Sequence, residues 1–246
     1  MKELVIVSGK GGTGKTSISA ALAKIAPAKV LADCDVDAAN LHLVTNHRVR
    51  ESHDFFAGFK PEVDATLCTK CGKCTELCRF DAIKDGQVSA LSCEGCGVCA
   101  FNCPEKAISM REKEAGRWLI SETRFGTLVH AELQLAIENS GKLVSKVREQ
   151  AKTVTVNENL PLIIIDGPPG IGCPAIAAIT GTDLVLAVVE PSLSSMHDLK
   201  RLYDLTQHFN LPLTVCINKF SLNQANTKAT MEWCSRNNIP VIGKIP

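Results

Sequence analysis

Gly9-Lys10-Gly11-Gly12-Thr13-Gly14-Lys15-Thr16 decides the reading of this chain. The stretch fits G-x-x-x-x-G-K-[ST] and stands between an apolar run, Leu4–Val7, and a helical pattern, Ile18, Leu22 and Ile25. That context is what a phosphate-binding loop requires. Glycines let successive backbone N–H groups curl around phosphate oxygens, and the helix that opens at Lys15, Thr16 and Ser17 turns its positive end toward the same anion. Lys15 is expected to neutralise the β- and γ-phosphates and Thr16 to ligate Mg²⁺ through its hydroxyl. The contacting set is Gly9, Lys10, Gly11, Gly12, Thr13, Gly14, Lys15, Thr16 and Ser17.

Working outward, short apolar runs without polar alternation recur at Val30–Ala32, Leu162–Ile165, Leu184–Val189, Leu213–Ile217 and Val241–Ile242. They read as strands buried on both faces. Helical patterns lie between them, such as Met196, Leu199, Leu202, Tyr203 and Leu205. The predicted class is α/β, a mostly parallel sheet covered by helices on both faces. Thr127 to Lys152 reads as mostly helical with a break at Asn139-Ser140-Gly141. Ala107–Met110 and Trp118–Ile120 read as a hairpin around Arg111–Arg117.

The α/β rhythm breaks between Phe59 and Ser109, where cysteines crowd and helical periodicity vanishes. The sequence divides into 1–58 with 111–246, and an inserted 59–110. Within the insertion Cys68, Cys71, Gly72, Cys74, Cys78, Ala82 and Ile83 return 25 residues later as Cys93, Cys96, Gly97, Cys99, Cys103, Ala107 and Ile108. The spacing C-x-x-C-x-x-C-x-x-x-C, twice, matches the run that holds two [4Fe–4S] clusters in a small α+β bacterial-ferredoxin-like domain. There the fourth cysteine of each run serves the other cluster. One cluster then takes Cys68, Cys71, Cys74 and Cys103, and the other Cys93, Cys96, Cys99 and Cys78. Zinc competes for such thiolates, but zinc ribbons pair two separate C-x-x-C knuckles rather than three consecutive cysteines. Arg79 stands where the second run has Pro104.

The second lysine of the loop, Lys10, completes GKGGxGKT and resembles the deviant P-loop ATPases of the MinD, ParA, Mrp and nitrogenase iron protein family. The resemblance implies ATP as ligand and ADP as product, with Lys10 acting across a dimer of identical or paralogous chains. It also distributes further roles. In Asp33-Cys34-Asp35-Val36-Asp37-Ala38-Ala39-Asn40, it implies that Asp35 orients the attacking water, Asp33 supports the Mg²⁺ shell and Asn40 belongs to the first switch. Asp37 reads either as part of this cluster or as a helix cap. Asp166-Gly167-Pro168-Pro169-Gly170 looks like the second switch, with Asp166 on Mg²⁺ and the Gly170 backbone sensing the γ-phosphate. Asn218 stands where the family contacts the base, and Ser221 in place of the GTPase aspartate favours adenine. Lys10, Lys15, Asp35 and Asp166 form the implied catalytic set.

Over its whole length the chain resembles MinD-superfamily ATPases with an inserted ferredoxin domain. That implies an ATPase whose dimerisation and switch movement gate electron transfer to a redox or iron–sulfur partner. Two other classes stay open: a cluster carrier of the Mrp branch, and a MinD/ParA-like positioning ATPase with structural clusters. Lys+Arg 27 against Asp+Glu 26 leaves no basic excess for nucleic acid. No secretory pattern opens the chain, which favours the cytoplasm, and no apolar stretch approaches the ~20 residues of a membrane span. Cys34, Cys216 and Cys234 read as core residues. Cys173 reads as a packed residue at a helix start, because the bridging cluster of the iron protein needs another cysteine between Cys103 and Cys173. The resembling proteins carry a helical segment after the strand that ends here at Ile242-Gly243-Lys244-Ile245-Pro246, so the sequence reads as cut short and membrane attachment stays open.

Overall fold

All six apolar runs named above are strands, and the parallel ladder explains why they need no polar face. In the computed structural model, which describes residues 1–134 and 140–246, the chain runs β1 (Lys2–Ser8), α1 (Lys15–Ile25), β2 (Lys29–Asp33), α2 (Leu41–Thr45), β3 (Arg48–Val63), α3 (Lys73–Leu77), β4 (Ile83–Lys84), β5 (Gln87–Val88), α4 (Val98–Phe101) and β6 (Ile108–Thr123). It continues with β7 (Gly126–Leu133), α5 (Ser140–Asn157), β8 (Leu162–Pro169), α6 (Cys173–Ile179), β9 (Leu184–Val189), α7 (Leu193–His208), β10 (Leu213–Ile217), α8 (Gln224–Arg236) and β11 (Val241–Lys244). Two compact units result. The first comprises Met1–His53, Arg117–Leu133 and Ser140–Pro246; the second includes Asp54–Gly116.

In the first unit the strand order is β11-β10-β9-β1-β8-β2-β7, with β6 and β3 beyond β7. β1 lies parallel between β8 and β9, and β2 parallel between β8 and β7. Val5, Ile6, Val7, Ile165 and Val188 are fully buried, as expected of strands covered on both faces. Register decides where the chemistry gathers: Asp33 and Ile6 both pair with Asp166, and Ser8 pairs with Pro169. The carboxyl ends of β1, β2 and β8 therefore meet at one point, the place where open α/β sheets present ligands. Ile18, Leu22 and Ile25 lie in α1 as their pattern suggests, with Ile25, the last residue of the helix, three-quarters exposed.

Two expectations fail here. Residues 108–123 form one continuous strand, not a hairpin. Its charged run has cross-strand partners, with Arg111 Nε donating to Glu62 and Arg117 to Glu132, so the charges mark an exposed strand face rather than a turn. The hairpin lies one strand later. β6 and β7 run antiparallel, as the successive contacts Thr123–Gly126, Ser121–His130 and Arg117–Glu132 require. Gly126–Leu133 is accordingly strand and not helix. Leu128, Val129, His130 and Ala131 are buried consecutively, which suits a strand covered on both faces and not a helical stripe. Of the break expected at 139–141, Ser140 and Gly141 lie inside α5, and Asn139 lies outside the described residues.

The second unit repeats itself in backbone as well as in sequence. Positive φ occurs at Lys70 and Gly95 (56° and 65°), Gly72 and Gly97 (79° and 77°), and Asp81 and Lys106 (49° and 51°), each pair 25 residues apart. Hydrogen bonds repeat too: Glu76 N donates to Gly72 O at 3.1 Å, and Phe101 N to Gly97 O at 3.0 Å. The halves are exchanged rather than stacked. Asp64 N donates to Ala107 O (2.8 Å), and at the equivalent positions Ser89 N donates to Ala82 O (2.7 Å). Asp85 and Gly86, both at positive φ, form the two-residue turn of the β4–β5 hairpin. The buried apolar residues of Asp54–Gly116 are Ala57, Pro61, Ala82, Ile83, Ala107, Ile108 and Ala115. So small a core, four of its members alanine, supplies too little apolar burial to hold a fold of this size without a staple.

Candidate functional site

The loop after β1 is fixed by its neighbours. Ser8 Oγ donates to Lys10 O (2.8 Å), while Ser8 O accepts from Gly170 N (2.8 Å), so the loops after β1 and β8 are tied together. Gly14 holds φ 92° at the start of α1, and a β-carbon there would collide with the Asn218 side-chain amide. Asn218 Nδ2 itself donates to Thr13 O (2.7 Å), and Lys219 Nζ donates to Gly12 O (2.8 Å). Both brace the loop from the carboxyl end of β10.

Lys15 is the electrostatic centre. Its ammonium lies 2.9 Å from Asp166 Oδ1 and 3.4 Å from Asp35 Oδ2, with 7% of the side chain exposed. Burial, the largest single influence, pulls its pKa down, but Asp166, Asp35 and Asp33 together outweigh it and leave it raised. Asp166 is fully buried and also accepts from Thr16 Oγ1 and Ser19 Oγ, each at 2.8 Å. Asp33, its register partner, is equally buried and turned away from the loop, accepting backbone N–H bonds from Asp35 (3.1 Å) and Leu41 (3.0 Å). Burial first, and then Asp166, push the Asp33 carboxyl up to about 7. Asp33 thus shapes the loop between β2 and α2 and does not face the cavity.

That cavity, about 570 Å³, is lined by the loop glycines with Lys15, Thr16 and Ser17 on one side and Asp35, Asp37, Asn40, Pro168 and Pro169 on the other. Polar backbone, one buried cation and facing carboxylates suit a Mg²⁺-bearing polyphosphate. Asp37 lines the cavity and caps nothing, since α2 begins only after Asn40.

Lys10 points to Glu190, with which it forms an ion pair; Lys219 Nζ shares the same carboxylate at 3.3 Å. The hydrogen bond from Lys10 holds the Glu190 carboxyl below its usual range. Sequence reasoning passed over Glu190 and Ser19. Glu190 stood at the carboxyl end of a parallel strand, the same signal that singled out Asp166.

In the second unit the eight cysteines divide between two cavities. One is lined by Cys68, Cys71, Cys74 and Cys103, the other by Cys78, Cys93, Cys96 and Cys99. Each cavity takes three thiols from one run and the fourth from the other. All are unpaired as disulfides, and Cys71 and Cys96 are exposed. Among the described residues no three His, Cys, Asp or Glu side chains gather closely enough to hold a single metal ion. Arg79 lines neither cavity. Cys34, Cys216 and Cys234 are buried, but Cys173, expected to be packed, is exposed as the first residue of α6. Among the described residues no helix is long and apolar enough to cross a membrane.

The fold is shared with the cell division ATPase MinD of Pyrococcus furiosus, with a TM-score of 0.54 at 20% identity over 100% of this chain and 83% of that one. In sequence the chain is 38% identical over 228 residues to an uncharacterized protein of Methanocaldococcus jannaschii, spanning 91% of this chain and 80% of the relative. It is also 44% identical over 57 residues to pyruvate synthase subunit PorD of Methanothermobacter marburgensis, 22% of this chain and 70% of that subunit. Residues 4–246 match the CobQ/CobB/MinD/ParA nucleotide binding domain, and the chain belongs to that family of P-loop ATPases.

Proposed function

We propose that the chain is an ATP-hydrolysing iron–sulfur protein in which nucleotide state gates electron transfer through two [4Fe–4S] clusters held by the second unit. The observation that carries this reading is the crossed division of eight cysteines between two cavities. A unit whose buried apolar set is two isoleucines, four alanines and a proline supports it, because ligation of a metal cluster would supply the missing folding free energy. Bound clusters would supply one-electron chemistry.

The residues of the first unit perform the gating. Lys15 would exchange its carboxylate partners for β- and γ-phosphate oxygens, and Asp166 and Thr16 would then hold Mg²⁺. Asp35 orients the attacking water. Asp33 supports the metal shell indirectly, by fixing the Asp35 and Leu41 amides. Asn40 and Gly170 sense the γ-phosphate from the two switch loops, and Asn218 stands at the adenine end of the loop. Lys10 leaves Glu190 to reach the nucleotide of a second chain, so that ATP closes a dimer. The first-switch segment, which includes Asn40, leads through α2 into β3, and β3 enters the second unit; hydrolysis there bears directly on the chain that carries the clusters.

Iron and acid-labile sulfide measured on anaerobically reconstituted protein test the reading. It predicts about eight irons per chain, reduced and reoxidised without loss. Two irons or fewer refute it, and irons that leave for an apoprotein acceptor favour the carrier class instead.

A further inference from the structure

The duplicated backbone of the second unit provides its own control. Matching φ values and matching N–H···O bonds give both cysteine cavities similar main-chain surroundings, an exception being Ala82 N, which donates to Cys78 Sγ (3.3 Å) at the second. The side chains differ more widely. Between the first three cysteines of each run, Thr69, Lys70 and Lys73 are replaced 25 residues later by Glu94, Gly95 and Val98. The first loop carries +2 and the second −1.

The remaining lining residues reduce this contrast without reversing it. Asp85 and Glu105 also border the first cavity, and their repeat counterparts are Met110 and Phe80. The second cavity is otherwise apolar, with Pro61, Phe80, Ile83, Val88 and Val98, and Glu94 supplies its one charged side chain besides the thiols. Adding an electron adds negative charge. A neutral, polar surrounding with two ammonium groups accepts that charge more readily than an apolar one carrying a carboxylate.

Lys70 gives an independent sign. It holds φ 56°, a left-handed conformation that suits glycine, and the equivalent position in the second half is Gly95. A β-carbon on Gly95 would strike the backbone oxygen of Phe59, so glycine is required there, whereas the first half tolerates strain to keep a lysine.

Resting on the cluster reading above, we infer that Lys70 and Lys73 make the site of Cys68, Cys71, Cys74 and Cys103 the higher-potential of the two. A one-electron donor that reduces either cluster then leaves its electron there: the second site is reoxidised by one electron as the first is reduced by one. Both lysines are positioning residues that act through the field at the cluster.

The test is a dithionite titration of the anaerobically reconstituted full chain, followed by EPR, with iron counted on each sample. Two resolved midpoints are expected. Lys70→Gly with Lys73→Val copies the second loop, and it should move the higher midpoint to more negative potential while leaving the lower one in place. Val98→Lys should move the lower midpoint positive. Both lysines are exposed and the glycine relieves strain, so full iron content is expected to persist in the variant. A single wild-type midpoint, or a full-iron variant whose higher midpoint does not move, overturns the inference alone. A wild-type chain that takes up no iron overturns the cluster reading and this inference together.

Discussion

Lys15→Ala separates two consequences of one buried cation. The ammonium sits 2.9 Å from Asp166 and 3.4 Å from Asp35, with Asp33 beside Asp166 in the next strand. Removing it abolishes nucleotide binding, because the loop's other lysine, Lys10, is engaged with Glu190 and leaves the β- and γ-phosphates without a cation. It also leaves the fully buried Asp166 with two hydroxyl donors and a carboxylate neighbour. Deleting one partner of a buried ion pair costs about 3–5 kcal/mol, and the open cavity at hand admits water, which favours the lower end. For a chain of this size ~3 kcal/mol lowers the melting temperature by roughly 6–12 °C. Circular dichroism melts of nucleotide-free protein, beside fluorescence titration with Mg²⁺ and a labelled ATP, measure the two effects. Adding Asp166→Asn removes the orphaned charge and should restore most of the melting temperature while binding stays lost. If Lys15→Ala melts with the wild type, or still binds ATP normally, the electrostatic account of the site is wrong.

Further outcomes are expected elsewhere. Lys10→Ala should bind ATP as the wild type does but lose the rise of specific ATPase rate with protein concentration; a retained rise removes the role across the dimer. Cys78→Ser should perturb the EPR signal of the cluster held by Cys93, Cys96 and Cys99 and spare the other, and the reverse result would cancel the crossed assignment. His130 is buried against His42 and His47 with Glu132 close by, and burial pulls its imidazole down to about 4. The unfolded chain therefore binds the proton more tightly, so this contribution to stability is full above pH ~6.5 and is lost as pH falls toward 4, about 3 kcal/mol in all. Because the raised Asp33 carboxyl gains stability over the same pH window, the loss is read as a difference: urea unfolding from pH 7 to 4.5 should show the wild type losing stability relative to His130→Phe.

The parts of this fold legible in the sequence are those whose signal is local. Leu162–Ile165 ending in Asp166 announces a buried parallel strand and its ligand together, and GKGGTGKT needs only its flanking elements. Gly126–Leu133 was not legible because burial on both faces of a strand inside a sheet looks like any apolar run, and its neighbour β2 lies almost 100 residues away. Arg111–Arg117 misled for the opposite reason: charges that suggest a turn are matched by Glu62 and Glu132, partners that pairing alone reveals. Glu190 went unread because a single carboxylate before Pro191 has no motif, and its meaning depends on Lys10 and Lys219 converging from two other strands. The orientation of Asp33 was equally hidden, since composition shows a cluster of carboxylates but not which one spends its oxygens on backbone amides.

The central claim is that phosphate chemistry in the first unit and electron transfer in the second are linked in one chain. The most direct measurement is the ATPase rate of protein carrying about eight irons, compared anaerobically between its oxidised and dithionite-reduced states. The account predicts rates that differ between the two states and converge in a chain whose Cys78 and Cys103 are both serine. Equal rates in both oxidation states of the fully loaded wild type would contradict it.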